Sequence, residues 1–244
     1  MIIDSRPCCR NRIPEQLSYD LAIAENPRNR GVSSGGRHKR GLVKHTHLWE
    51  PGRTLWISFM GSPDRSLKMA IFELASQWTD LSEANLELDL AEDNDAKAQI
   101  RVLTGKDVLH NQSDLGTDAL AYTDETMCLN VAPGEEWFEC TVLHEFGHAL
   151  GLQHEHTHPD ANIPWNEQAL IATLQAAGWT AQDVHQQYLD VQADTAMIKT
   201  AYDPLSIMHY AVAQWQTIGD FEIARNHQLS EKDLELMRLA YPHD

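Results

Sequence analysis

Polar and apolar residues alternate in LWEPGRTLWISFM after a turn at Pro51-Gly52. Leu55, Ile57 and Phe59 fall on one face, as a half-buried strand requires. Ser62-Pro63-Asp64 then offers a cap, a proline suited to the first helical position and an early acid. Leu67, Ile71, Leu74 and Trp78 follow at helical spacing and predict an amphipathic helix over about 63–80. Leu86, Leu88 and Leu90 alternate, as do Ile100 and Val102, which predicts two more strands; TMCLNV at 126–131 is a fourth. From Glu135 the pattern is helical again and runs through WFECTVLHEFGHAL to Gly151, a natural terminator. Beyond it strand signals thin out. Short helices are expected at about 166–177 and 180–190, and a last one near Ser230, whose spacing to Asp233 suits a capping box. The chain has no internal repeat. A strand-helix-strand-strand-strand-helix half precedes a looser, mostly helical half, an α+β arrangement divided near Gly151.

Composition changes this picture in one respect. The 244 residues are 42% hydrophobic and 23% charged, ordinary for a globular protein. No apolar run approaches the ~20 residues of a membrane span, and MIIDSRPCCRNR has no apolar block of the kind a signal peptide needs. The net charge of −17, however, argues against a general nucleic-acid or anionic-membrane binder. That charge is uneven: residues 1–44 hold nine basic and four acidic residues, while residues 45–244 hold ten basic and thirty-two acidic. A basic N-terminal segment lying against an acidic body is one reading, and a solvated basic tail is the other. Residues 26–41, NPRNRGVSSGGRHKRG, read as a linker with a protease-sensitive RHKR stretch. Cys8, Cys9, Cys128 and Cys140 are too few for a disulfide framework and contain no CxxC pair, so most are expected to be reduced.

The chemistry concentrates in His144-Glu145-Phe146-Gly147-His148. Helical positions four apart share a face, so His144 and His148 can aim both imidazoles at one metal ion. Glu145 is beside His144, near enough to reach an activated water without ligating the metal. Imidazole suits Zn2+, and catalytic zinc keeps one position open for water. Two histidines at this spacing also occur on ordinary surface helices, so the short motif alone is a moderate signal. The extension HEFGHALGLQH sharpens it, because Gly151 lets the chain turn sharply and return His154 as a third imidazole. A structural zinc domain competes with this reading. Such sites have four protein ligands with cysteine prominent, and neither Cys128 nor Cys140 sits at suitable spacing. A zinc-binding module without catalysis is the third possibility, against which the presence of Glu145 speaks. Nucleotide-dependent chemistry has no support, since no Gly-rich phosphate loop is present. Asn111-Gln112-Ser113 matches a glycosylation sequon, which counts for little without a secretory signal.

With these residues in view, HEFGHALGLQHE resembles the long zinc motif of the metzincin metallopeptidases, and the trailing Glu155 makes it similar to the astacin branch. Ser206-Ile207-Met208-His209-Tyr210, further along, resembles the astacin Met-turn. The resemblance covers about residues 45–244. It implies a metzincin-type fold of two subdomains, with a twisted mixed sheet, two long helices above the cleft and a mostly helical or irregular lower part. It further implies an astacin-like zinc metalloendopeptidase with one catalytic Zn2+ held by His144, His148 and His154. Met208 would lie beneath the metal. Tyr210 would be a displaceable ligand that donates a hydrogen bond to the tetrahedral intermediate, and Glu145 the general base. In animal astacins the glutamate matching Glu155 is linked to the buried N-terminus of the processed enzyme. Here Glu155 is read as structural, with a solvated carboxylate or a partner for a histidine as alternatives. Gly151 and His209 are also read as structural, and His156 and His158 as solvent-facing rather than ligating.

Cys9-Arg10-Asn11-Arg12-Ile13-Pro14, followed by AIAENPRN at 22–29, resembles the short segment preceding the catalytic domain in bacterial and fungal astacin-like proteins. In part of that branch a cysteine from such a segment caps the zinc. The resemblance therefore implies a latent form in which Cys9 is a ligand, with Cys8 as a competitor and Arg6, Arg10 and Arg12 favouring the thiolate. The FxGD-type switch of animal propeptides is missing. On this reading residues 1–41 are a pro-like segment and linker, and 42–244 the peptidase domain, with an upper subdomain 42–151 and a lower subdomain 152–244. A protein or peptide substrate is expected to pair with an edge strand somewhere in residues 118–131. The protein is expected to be a monomer, secreted or exported by a route that leaves no visible signal peptide, with a cytoplasmic location still open.

Overall fold

The alternating segment forms the strand it predicts. The computed structural model describes residues 9–10, 12–30, 46–191, 198 and 200–243, with backbone only at 9 and 10. In it β2 (Thr54–Met60) buries Leu55, Ile57 and Phe59 and turns Trp56 outward. β3 (Glu87–Leu90), β4 (Ile100–Thr104) and β6 (Met127–Leu129) lie where expected. Two further strands, β1 (Cys9–Arg10) and β5 (Gln112–Asp114), are too short for a two-residue period to register in the sequence. The sequon triplet Asn111-Gln112-Ser113 thus leads into a strand in which Ser113 is buried. The six strands run in the order β1-β5-β6-β4-β2-β3, every pair parallel except β5 with β6.

This order corrects the expected docking edge. Cys128 of β6 faces Leu103 of β4 on one side and Gln112 of β5 on the other, so the β6 backbone is paired on both flanks. The outermost strand on this side is β1, and inside it lies β5, at 112–114, outside the anticipated 118–131. Its outer side carries β1, with Cys9 opposite Ser113 and Arg10 opposite Asp114.

α2 (Arg65–Asp80) starts two residues later than the periodicity suggests. Asp64, extended at ψ 140°, takes the cap position, and Ser62 is left-handed at φ 58°. The α region is disfavoured for a residue before proline, which moves Ser62 out of the helix. α2 packs against α3 (Phe138–Ala149), and the Trp78 indole N–H donates to the Leu143 carbonyl at 2.9 Å. Leu55, Ile57, Phe59, Ile71, Trp78, Ile100, Val102, Met127, Leu143 and Phe146 form one core. Fully burying a side chain of this size contributes about 1.5–3 kcal/mol.

α4 (Glu167–Ala176) and α5 (Ala181–Val184), with a π turn at His185–Leu189, enclose a separate cluster of Leu170, Leu174, Trp179 and Val184. α6 (Glu231–Ala240) makes both capping-box bonds between Ser230 and Asp233. It sends Met237, Ala240 and the following Tyr241 into the first core, so the division near Gly151 follows the chain but not the packing. The Tyr241 hydroxyl donates to the Leu150 carbonyl at 2.7 Å, just ahead of the Gly151 turn.

The N-terminal residues require a second correction. α1 (Glu15–Glu25) packs on the 3-10 turn Gly116–Ala121, where the Ser18 hydroxyl donates to Asp118 at 2.6 Å. Asn26 and Asn29, expected in a linker, are buried; their amides donate to the carbonyls of Trp49 at 2.9 Å and Leu48 at 2.7 Å. Glu25 pairs with Arg53. Residues 12–30 are therefore neither linker nor solvated tail, because buried amides this well satisfied belong to a packed interior. The rest of the expected linker, including RHKR, lies outside the described residues, as do Cys8 and Arg6. No helix among the described residues is long and apolar enough to cross a membrane.

Candidate metal centre and active site

α3 places His144 and His148 one turn apart on one face, their rings edge to face at 4.8 Å. The helix then closes on Gly151, whose φ of 86° is a left-handed conformation that favours glycine. A Cβ there would also meet the His47 carbonyl oxygen at 2.8 Å. This turn returns His154, and its Nε2 comes within 3.0 Å of His148 Nε2. One nitrogen from each of the three histidines lies within 4.8 Å of the others, the one such metal-ligating cluster among the described residues.

The protonation pattern of the site follows from its hydrogen bonds. His144 Nδ1 contacts the Ile207 carbonyl and His148 Nδ1 the Leu152 carbonyl, each at 2.8 Å. A carbonyl only accepts, so both Nδ1 atoms carry the proton and both Nε2 atoms present lone pairs. Burial pushes the His144 imidazole down to about 4 and holds His148 and His154 well below the usual histidine range. Neutral rings with converging lone pairs suit a divalent cation. His144 Nε2, buried without a hydrogen-bond partner, is the atom such an ion would satisfy. Glu145, next in the chain, is also buried.

The floor of the site comes from 206–210. Met208 is buried with its sulfur against Gly147, and its carbonyl accepts from the Glu155 amide at 3.1 Å. A Cβ at Gly147 would stand well inside the van der Waals contact distance of Met208 Sδ and 3.0 Å from Trp78 Cζ2. Alanine is the better helix former by about 0.8–1 kcal/mol, but overpacking a filled core costs about 1–3 kcal/mol. Gly147→Ala is therefore expected to destabilise the protein by about 1–2 kcal/mol and to weaken metal retention. Thermal unfolding with and without added zinc checks this; an unchanged melting temperature would show that Met208 gives way freely.

Asp233 fastens this floor from the first turn of α6. Its carboxylate accepts from the Ser206 hydroxyl at 2.6 Å and the Ile207 amide at 2.8 Å. The same Ile207 carries the carbonyl that orients His144. Glu155 is half-buried and accepts from the Asp203 amide at 2.8 Å, while burial raises its carboxyl to about 7. It joins the zinc-motif end to the segment before the floor, and no histidine is its partner in that bond.

His156 and His158 are buried at 2% and 7% exposure, contrary to the expectation that they face solvent. His156 contacts the Gln187 carbonyl at 2.7 Å, supplied by the π turn, and stacks on the Tyr210 ring at 4.4 Å. Tyr210 in turn lies 4.2 Å from the His154 ring and 5.8 Å from His144. His158 is held by the Thr200 carbonyl at 3.2 Å. Neither belongs to the ligand cluster. His209 donates from Nδ1 to the Tyr210 carbonyl at 2.7 Å and accepts the Tyr202 hydroxyl at 2.8 Å on Nε2, a packed and satisfied residue. Cys128 and Cys140 are both buried. Asp233 and His156 are the site's residues that sequence reasoning missed. The capping-box spacing pointed to Asp233 without its second task, and His156 has no periodic signal at all.

The sequence model of the Astacin peptidase family matches residues 130–242. The zinc metalloproteinase dpy-31 of Teladorsagia circumcincta is 29% identical over 251 residues, covering 93% of this chain and 36% of that protein. Its namesake in Brugia malayi is 26% identical over 236 residues, covering 87% and 35%. The chain thus spans about a third of the length of these curated relatives. Among solved structures, myroilysin superposes with a TM-score of 0.73 at 30% identity, covering 81% of this chain and 97% of that one. High choriolytic enzyme 1, a hatching enzyme zinc-protease from the medaka fish Oryzias latipes, shares the fold at a TM-score of 0.55 and 16% identity, covering 80% and 94%.

Proposed function

Since the chain belongs to the astacin family of zinc metallopeptidases, we propose that it hydrolyses internal peptide bonds of protein or peptide substrates at the His144, His148 and His154 cluster. The observation that carries this reading is the convergence of three neutral imidazoles whose donor atoms lie within 4.8 Å of one another. Zinc, when bound there, acts as a Lewis acid that acidifies water and polarises a carbonyl. Glu145 takes the proton of the attacking water as general base and returns one to the leaving amine. Tyr210 donates a hydrogen bond from its hydroxyl to the tetrahedral oxyanion. Met208 and Asp233 hold the floor. Purified protein is expected to contain one zinc ion per chain by elemental analysis and to cleave casein-derived peptides. Chelation should abolish cleavage and added zinc restore it; zinc-free protein with undiminished peptidase activity would refute the reading.

Residues 1–41 act as a latency segment on the same reading, with the peptidase domain at 42–244 and an extracellular site of action. Support comes from β1, which lies along the outer side of β5 where an extended substrate would pair. The Cys9 thiolate would occupy the metal position that water needs. The Cys9 side chain lies outside the described residues, so the thiol itself is the thing to test. Cys9→Ala is expected to be active without processing, whereas the parent needs cleavage between 31 and 41 or modification of the thiol. Equal initial rates of intact parent and Cys9→Ala would remove the switch.

A further inference from the structure

Arg12 occupies a built pocket. Its Nε and Nη2 grip both oxygens of Asp114, at 3.0 and 2.5 Å, while Nη1 reaches Asp124 at 3.3 Å and Nη2 also donates to the Glu125 carbonyl at 2.9 Å. The guanidinium carbon lies 3.8 Å above the centre of the Tyr122 ring. This combination of a bidentate carboxylate, a second acid, a carbonyl and an aromatic face matches the planar fork of arginine rather than the point charge of lysine.

The pocket is held in shape independently of Arg12. Buried Arg101 donates to the carbonyls of Ala98, Ala119, Tyr122 and Asp124, which ties down the backbone that carries Tyr122 and Asp124. Asp114 has only 2% of its side chain exposed and sits at the end of β5, the strand whose outer side is taken by β1. Whatever chain replaces β1 on that edge meets the same pocket, and departure of Arg12 deprives a buried carboxylate of its bidentate cation. Another guanidinium restores it best.

We infer that the pocket formed by Asp114, Tyr122 and Asp124 is a substrate subsite selective for an arginine side chain, filled by Arg12 for as long as the N-terminal segment stays in place. The inference rests on the peptidase reading above and on release of residues 1–41. It deepens that reading by naming what the β5 edge selects.

The test compares substrate peptides that differ only in arginine, lysine or citrulline at successive positions around the cut site. The protein is the zinc-loaded full chain, nicked between 31 and 41. At one position kcat/KM is expected to be at least about tenfold higher for arginine than for citrulline, with lysine between them. The ratio should shrink to within about twofold in Asp114→Asn and in Asp124→Asn. Asp124 is largely exposed, so its substitution reports even where Asp114→Asn does not fold. Calorimetry on nicked Glu145→Gln, with the same peptides, reads the preference without turnover. Absent turnover with arginine still bound at least about tenfold more tightly would sink the peptidase reading alone. Equal affinities of the arginine and citrulline peptides, or a preference that survives both aspartate variants, would overturn the subsite.

Discussion

Glu145→Gln is expected to retain one zinc ion per chain and an unchanged fold while kcat falls by about 10²–10⁴. Glutamine is nearly isosteric with glutamate, and a neutral amide is easier to bury than a carboxylate at a position only 1% exposed. His144 and His148 keep their orienting contacts, because those run to the Ile207 and Leu152 carbonyls. What the amide cannot do is accept the proton of the attacking water. The loss should therefore appear in kcat with KM little changed, the signature of an interaction made only in the transition state. Elemental analysis, thermal unfolding and steady-state kinetics on one peptide are sufficient. A variant with near-parental turnover would take the general-base role away from Glu145.

The second large effect is expected from Tyr210→Phe, which removes one hydroxyl and keeps the ring. Ring position is set by packing: His156 stacks on it at 4.4 Å with planes 20° apart, and Tyr188 lies at 5.3 Å. Phenylalanine satisfies these contacts equally well, so stability and zinc content should hold. Removing a single donor to a developing oxyanion costs about 2.7–4 kcal/mol, or about 10²–10³ in kcat. A purely structural tyrosine would show the reverse pattern, with a lowered melting temperature and normal turnover. Equal activity of variant and parent would reduce Tyr210 to a packing residue.

How much of this protein was legible beforehand depends on how local the determining physics is. HEFGHALGLQH could be read directly, because the helical pitch alone brings His144 and His148 to one face. The left-handed Gly151 turn is likewise a property of a single residue. β2 and β3 announced themselves through alternation, since each has one face more buried than the other, and β4 through the alternation of Ile100 and Val102 although Arg101 between them is buried too. The capping box of α6 needed nothing beyond Ser230 and Asp233.

Tertiary packing decided the rest. β5 and β1 are too short to carry a period, and only the antiparallel return of β5 along β6, with β1 beyond it, took β6 away from the sheet edge. His156 looked like a surplus histidine until the π turn supplied the Gln187 carbonyl and Tyr210 its stacking face. Asp233 gained its second role because α6 returns across the molecule to the floor of the site. Residues 26–30 had the composition of a linker, yet Asn26 and Asn29 found buried carbonyls at Trp49 and Leu48. A local motif can specify which side chains share a helix face or a turn. Partners distant in sequence are chosen by which surfaces remain to be covered once the sheet and its helices have packed, and for that reason the histidine triad was readable from the chain while the parts played by Asp233 and His156 were not.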